Sequence, residues 1–243
     1  MKDSYFKIIE NRLIAKNTYF TVLEGDVSDI SASGQFVNIK LDGFYLRRPI
    51  SVCDVYDNKL VIIYKAVGAG TELMAKTPIG ENWLVLTGLG NGYDLSKSGD
   101  KPLLIGGGAG VPPMYYLARK LIKEGKAPTV ILGFGSRDEV FFEEEFKKLG
   151  VDVLVTTADG TYGTKGFVTD ALTGIDYTYF YTCGPEPMLK AVYEKTSTSG
   201  QFSFEERMGC GFGACMGCTC ETKYGNKRIC RDGPVLEKEE IIW

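Results

Sequence analysis

The sequence predicts a multidomain chain: an antiparallel β-barrel, an α/β domain with a parallel sheet, and a small C-terminal module. Three observations predict it. The first hundred residues carry short apolar runs separated by Gly, Asn and Asp, the rhythm of an antiparallel barrel. From Lys101 to Lys195 apolar strands alternate with helical stretches, which implies a parallel sheet covered on both faces. From about Gln201 the periodicity is lost, and five of the seven cysteines fall between Cys210 and Cys230. The expected domains are 1–97, 98–200 and 201–243.

In the first domain Thr18–Glu24, Gln35–Leu41, Ser51–Tyr56 and Lys59–Lys65 read as strands. Gln35–Leu41 alternates apolar with polar residues, and Asp57-Asn58 makes the turn between the last two. Gly68 to Gly70 lead into a helical stretch, Thr71 to Lys76, and Gly92 to Lys101 is the expected joint. In the second domain Pro102–Ile105, Thr129–Gly135, Val151–Thr156 and Tyr177–Thr182 are the predicted strands. Pro112–Glu124, Glu139–Leu149 and Pro185–Lys195 are the predicted helices.

The 243 residues are 44% hydrophobic and 24% charged, with net charge -3, so a sizeable core is expected. The acidic balance excludes nucleic acid or an anionic membrane as the expected partner, since both need a basic stripe. Met1 to Lys7 shows no apolar leader and no stretch approaches membrane-spanning length, so a cytoplasmic location is expected. The chain has no histidine. That excludes a Ser-His-Asp triad, His-ligated zinc, a Rieske centre and His-ligated haem, and favours electron or hydride chemistry on a bound cofactor.

Cys210, Cys215, Cys218 and Cys230 stand as Cys-x4-Cys-x2-Cys-x11-Cys. The first three match the plant-type 2Fe–2S spacing. Gly211, Gly213, Ala214 and Gly217 would let backbone N–H groups reach the sulfurs. A four-cysteine zinc site or free thiols are the alternatives, although zinc sites usually show two Cys-x2-Cys pairs. Cys220 competes as fourth ligand, but its closeness to Cys218 would crowd the loop.

Gly106-Gly107-Gly108-Ala109-Gly110 joins an apolar strand to a helix, where a pyrophosphate rests on helix N–H groups. A tight structural turn is the other reading. Cys183-Gly184-Pro185 likewise ends a strand and precedes a helix, with Cys183 readable as a small buried hydrophobe. Arg47-Arg48-Pro49-Ile50-Ser51 offers a guanidinium to a phosphate and a hydroxyl to a ring, or is a solvated basic face.

Taken in order, these segments resemble the ferredoxin-NADP reductase superfamily. Arg-Pro-Ile-Ser resembles its flavin motif, with Ile50 in place of the usual Tyr, so a neighbour such as Tyr64 would have to compensate. Within it, Cys210 to Cys220, Cys230-Arg231-Asp232-Gly233-Pro234-Val235 and Asp159 to Gly166 resemble the electron-transfer subunits of class 1B dihydroorotate dehydrogenases. The resemblance covers essentially the whole chain.

It implies an FAD-binding β-barrel, an NAD-binding α/β domain and a 2Fe–2S module. A partner FMN subunit would oxidise dihydroorotate to orotate, in pyrimidine biosynthesis. Electrons would pass through the cluster and FAD of this chain to NAD⁺, in a heterotetramer of two subunits of each kind. FAD would be held by Arg48, Pro49, Ile50, Ser51, Ile63, Tyr64, Lys65, Gly70 and Thr71. The pyridine nucleotide would lie on Gly107, Gly108, Gly110, Cys183, Gly184 and Pro185, and the cluster on Cys210, Cys215, Cys218 and Cys230. No catalytic acid or base is expected in this chain. The alternative is a flavin and iron–sulfur subunit of another NAD(P)H-linked reductase, acting on ferredoxin or a sulfur compound. Ser136 and Arg137 could welcome a 2′-phosphate while Asp138 could accept from a ribose hydroxyl; the family favours NAD. Met208, Phe212 and Met216 are expected near the cluster, as an apolar rim for the partner.

Overall fold

The computed structural model describes residues 1–243. Its first six strands are β1 (Lys2–Ala15), β2 (Thr18–Glu24), β3 (Phe36–Lys40), β4 (Arg48–Tyr56), β5 (Lys59–Lys65) and β6 (Asn82–Leu89), with helix α1 (Ala69–Lys76) before the last. They close into an antiparallel barrel in the order β1-β2-β5-β4-β3-β6. Phe6, Ile8, Leu23, Ile39, Leu60 and Ile62 fill its interior. The sequence pattern does not predict β1 or β6. In β1 the register shifts between Ile8 and Glu10 and again between Leu13 and Ala15. Each bulge moves the apolar period to the other face, which hides a long strand from a period-2 search.

The second sheet is built from β7 (Pro102–Gly107), β8 (Thr129–Phe134), β9 (Asp152–Thr157), the two-residue β10 (Thr164–Lys165), β11 (Tyr179–Cys183) and β12 (Gly200–Ser203). Helices α2 (Val111–Lys123), α3 (Glu143–Lys148) and α4 (Glu186–Lys195) cover it. The helix predicted over Glu139–Leu149 is broken. Arg137–Glu139 forms a 3-10 turn, and Phe142 adopts φ 66° before α3 begins. Phe141 is buried against Phe134 there, and that packing outweighs helix propensity.

The tail contributes β13 (Thr219–Thr222), β14 (Gly225–Arg228), the single-turn α5 (Ile229–Asp232) and β15 (Val235–Glu237). β15 pairs antiparallel with β12, so the sheet reads β10-β9-β8-β7-β11-β12-β15. The tail is therefore stitched into the second domain's sheet. The expected joint is pinned as well, since Tyr93 is buried and its hydroxyl donates to the Thr182 carbonyl (3.1 Å).

Two cores cross domain lines. Val22, Val61 and Ile63 of the barrel pack with Val111, Met114 and Leu117 of α2. Phe36 of the barrel packs with Phe202, Cys218, Ile229 and Cys230. β3, expected to alternate between buried and exposed residues, is buried on both faces because the tail covers its outer side.

Candidate functional site

The parallel strands reverse direction of progression between β7 and β11, and ligands of open α/β sheets bind outside the strand ends at such a point. Both glycine-rich turns named above meet here, since Cys183 is in register with Gly106. A Cβ on Gly110 would lie 2.1 Å from the Cys183 carbonyl oxygen, so the two backbones touch. The glycines thus serve close packing at the same place where they could serve a ligand.

Three cavities surround this junction. The first, of about 280 Å³, lies between barrel and sheet. Arg48, Pro49, Ile50 and Ser51 of β4, Ile63, Tyr64 and Lys65 of β5, and Thr71 line its barrel side. Gly110, Cys183 and Gly184 line the facing wall. One cavity thus brings together every predicted flavin residue except Gly70, which lies directly under Arg48. A Cβ there would meet Arg48 Nε at 2.1 Å.

Arg48 has the chemistry of an anion ligand. Its guanidinium lies 4.6 Å over the Phe44 ring and donates to the Leu46 carbonyl (2.5 Å), with no carboxylate among its partners. It rests at the start of α1, whose free N–H groups favour negative charge. An unpaired guanidinium beside a helix N-terminus fits a diphosphate. Tyr64 is 2% exposed and stacks on Tyr19 at 5.9 Å, and burial pushes its hydroxyl up to about 12. It is a neutral, fixed wall of the cavity. Cys183, also pushed up to about 12 by burial, is a neutral thiol at neutral pH.

The second cavity, about 510 Å³, lies along the carboxyl ends of β7, β8 and β9. It takes Gly107, Gly108 and Pro185 from the predicted set. It adds Gly133, Gly135, Thr156 and Phe167, which sequence reasoning did not assign to a site, and Gly166, the last residue of the Asp159–Gly166 motif. The signal for the first two was present in Gly133-Phe134-Gly135, the end of an apolar strand. Lys65 lines the first and second cavities and pairs with Glu139 (2.7 Å). The nucleotide-choice residues are already engaged. Arg137 lies 5.8 Å from the Tyr162 ring, and Asp138 takes Lys16 (3.1 Å) and the Ser136 hydroxyl. The third cavity, about 420 Å³, lies between the Gly184-Pro185 turn and the tail, where Cys220 faces Phe204 and Trp243.

The four cysteines form two pairs. Cys210 N–H donates to Cys215 Sγ (3.4 Å), while the N–H groups of Phe212, Ala214 and Cys215 donate to Cys210 Sγ at 3.5, 3.2 and 3.4 Å. Burial opposes ionisation of Cys210, but these amides outweigh it and bring the thiol down to about 6. Cys230 N–H donates to Cys218 Sγ (3.4 Å), and burial followed by the Cys218 sulfur pushes Cys230 up to about 12. Two cysteine pairs joined by N–H···S contacts fit a two-iron cluster held by four thiolates. Cys220 belongs to neither pair. Phe212 and Met216 are 45% and 54% exposed beside the outer pair, whereas Met208 is half-buried in the first cavity.

Two family models match. Residues 205–242 match the iron–sulfur cluster binding domain of dihydroorotate dehydrogenase B, and residues 104–194 match the oxidoreductase NAD-binding domain. The electron transfer subunit of dihydroorotate dehydrogenase B (NAD(+)) from Bacillus pumilus is 44% identical, over 99% of this chain and 98% of its own. The subunit of that name from Fusobacterium nucleatum is 45% identical, over 99% of each chain. Among solved structures, an NADH-dependent reduced ferredoxin-NADP oxidoreductase superposes with TM-score 0.90 at 29% identity, covering 98% of this chain and 90% of that one. A ferredoxin NADP+ reductase from Neisseria gonorrhoeae, with bound FAD and NADP, shares the fold at TM-score 0.68 and 17% identity, over 80% of this chain and 90% of that one.

Proposed function

Because the chain belongs to the family of dihydroorotate dehydrogenase B electron transfer subunits, we propose that its first two cavities and paired cysteines form one relay. It is the electron-transfer subunit of an NAD-linked oxidoreductase that carries FAD and a 2Fe–2S cluster. Its electrons come from dihydroorotate, oxidised to orotate on a catalytic partner subunit, and leave as hydride on NAD⁺.

The observation that carries this reading is the Cys183-Gly184-Pro185 turn. Cys183 and Gly184 wall the first cavity, and Pro185 walls the second. A flavin in the first and a nicotinamide in the second would therefore meet across small side chains. Flavin, when bound, supplies the chemistry that couples single electrons on the cluster side to a hydride on the nucleotide side. The protein's own residues bind, orient and exclude water. Arg48 and the N-terminus of α1 hold the diphosphate, and Gly70 leaves room for that guanidinium. Ser51 and the strand ends of β4 and β5 fix the ring, with Ile50 and Tyr64 as apolar walls. Gly107 and Gly108 bring the sheet backbone close to the nucleotide, and Gly110 closes the facing wall of the flavin cavity. Cys210 and Cys215 hold one iron, and Cys218 and Cys230 the other.

An FMN prosthetic group on the partner and a heterotetramer of two subunits of each kind rest on the resemblance of the sequence to its family. A cytoplasmic location and the division 1–97, 98–200 and 201–243 rest on the composition and periodicity of the sequence. In support of the location, no helix is long and apolar enough to cross a membrane. Exposed Phe212 and Met216, beside the outer cysteine pair, form the rim for the partner.

Purification with iron, FAD and FMN analysis tests the reading. About two irons and one FAD per chain are expected, with a cluster that bleaches on adding NADH. A colourless protein would overturn it. Phe212→Asp should split the complex and leave FAD bound; a complex that survives would remove Phe212 from the rim.

A further inference from the structure

The outer face of β3 carries a polar residue where packing alone would favour an apolar one. Asn38 is 1% exposed. Its Nδ2 donates to the Cys210 carbonyl at 3.3 Å, which ties the barrel to the loop holding the outer cysteine pair. Its Oδ1 is buried with no partner, so the residue keeps a desolvated acceptor that a leucine would not have. From the loop side, Gly211 adopts φ +79°, and a Cβ there would lie 2.3 Å from Asn38 Nδ2. Both partners are thus shaped for this one contact.

The contact also lies between the two redox sites. Asn38 is directly opposite Pro49 in the β3–β4 ladder, and Pro49 lines the flavin cavity. Phe36, two residues earlier on the same face, lines that cavity too and packs with Cys218 and Cys230. Arg47, which pairs with Asp3, donates to the Asn38 carbonyl at 3.5 Å and braces the strand.

We propose that Asn38 is a positioning residue for electron transfer between the cluster and the flavin, fixing the Cys210 loop at a set separation from the flavin cavity. This rests on the function proposed above. Transfer between two bound centres depends steeply on their separation, so a loop released by a fraction of its length slows the step without removing either cofactor.

The test uses the whole chain with its cofactors. Asn38→Leu is compared with wild type for iron and FAD content, for NADH-driven reduction of a dye that accepts from flavin, and for the rate at which NADH bleaches the cluster. Bleaching is expected to slow several-fold relative to dye reduction. Iron, FAD and dye reduction should stay near wild type. Gly211→Ala, which pushes the loop off Asn38 from the other side, should also slow bleaching while dye reduction stays near wild type. Wild-type bleaching in both variants overturns the proposal. So does an Asn38→Leu chain that sheds iron while Gly211→Ala bleaches normally, or dye reduction that falls in step with bleaching. Wild-type protein without iron or FAD would instead overturn the function beneath it.

Discussion

Cys210 and Cys215 lie in an open glycine-rich loop, half-exposed and exposed, whereas Cys218 and Cys230 are each 2% exposed in a core shared with Phe36, Ile229 and Leu236. The first pair is held by backbone amides that point at sulfur. The second pair is held mainly by packing, with one amide on Cys218. Two halves of one ligand set are thus built by different physics. The outer half depends on backbone conformation and the inner half on buried apolar area.

The largest expected effect breaks the inner half. Ile229 is fully buried next to Cys230. Ile229→Ala should cost about 2–5 kcal/mol of unfolding free energy in the apo-protein, from lost transfer energy and the cavity left behind. Phe212, 45% exposed beside the outer pair, should change stability by less than about 0.5 kcal/mol on mutation to alanine. Denaturant titration of both apo-proteins checks this, and equal losses would erase the distinction between the pairs.

Arg228 bridges the halves. Its Nη1 donates to the Gly213 carbonyl of the outer loop (3.0 Å), and its Nε to Asp232 of α5 (3.1 Å), the helix that carries Cys230. Arg228→Leu should release iron to a chelator faster, by roughly 10- to 100-fold in cluster retention, the usual weight of groups that orient metal ligands. Retention at the wild-type level would mean that each half stands alone.

Gly213→Ala acts on the outer loop where it meets α5. Gly213 adopts φ +92°, and a Cβ would meet Arg231 Cδ at 2.7 Å. The left-handed conformation should cost about 1–2 kcal/mol. In the apo-protein the cost should surface as faster hydrogen exchange at Phe212 and Ala214, with the barrel unchanged.

The same contrast explains what could be read from the sequence. Cys-x4-Cys-x2-Cys with a later cysteine is a local spacing, so all four candidate ligands were visible. Their sorting into an outer and an inner pair was not, because Cys218 meets Cys230 only through the fold of β13, β14 and α5. Likewise Arg48, Ser51, Tyr64 and Thr71 were legible as motif positions, and the structure lines one cavity with them. Thr156 and Phe167 of the second cavity carry no local mark. They come together through parallel register and a loop that follows β10. In the sequence Asn38 is the polar half of an alternation, and only the tail packed over β3 makes it a buried contact. Bulges hid β1 by breaking its period, and the φ 66° conformation of Phe142 arises from tertiary packing that no local propensity encodes.

The smallest expected effect concerns pH and sharpens the contrast at the join. Asp232 Oδ2 accepts from the Arg228 backbone N–H at 2.9 Å and from its side chain, and these hydrogen bonds hold the carboxyl below the usual carboxylate range. A group depressed in the folded state adds stability above its unfolded value, about 4, and loses it as pH falls through the lower folded value. Asp232 is 33% exposed, so screening limits the contribution to about 1 kcal/mol or less. In the apo-protein, wild type should therefore exceed Asp232→Asn in stability at pH 7, and the gap should close as pH drops below about 4. Because other carboxylates titrate in both proteins, the difference between the two denaturation midpoints is the quantity to follow. A gap that persisted unchanged to pH 2 would show that shape and not charge joins the halves, and would move Asp232 to the packed side of the comparison.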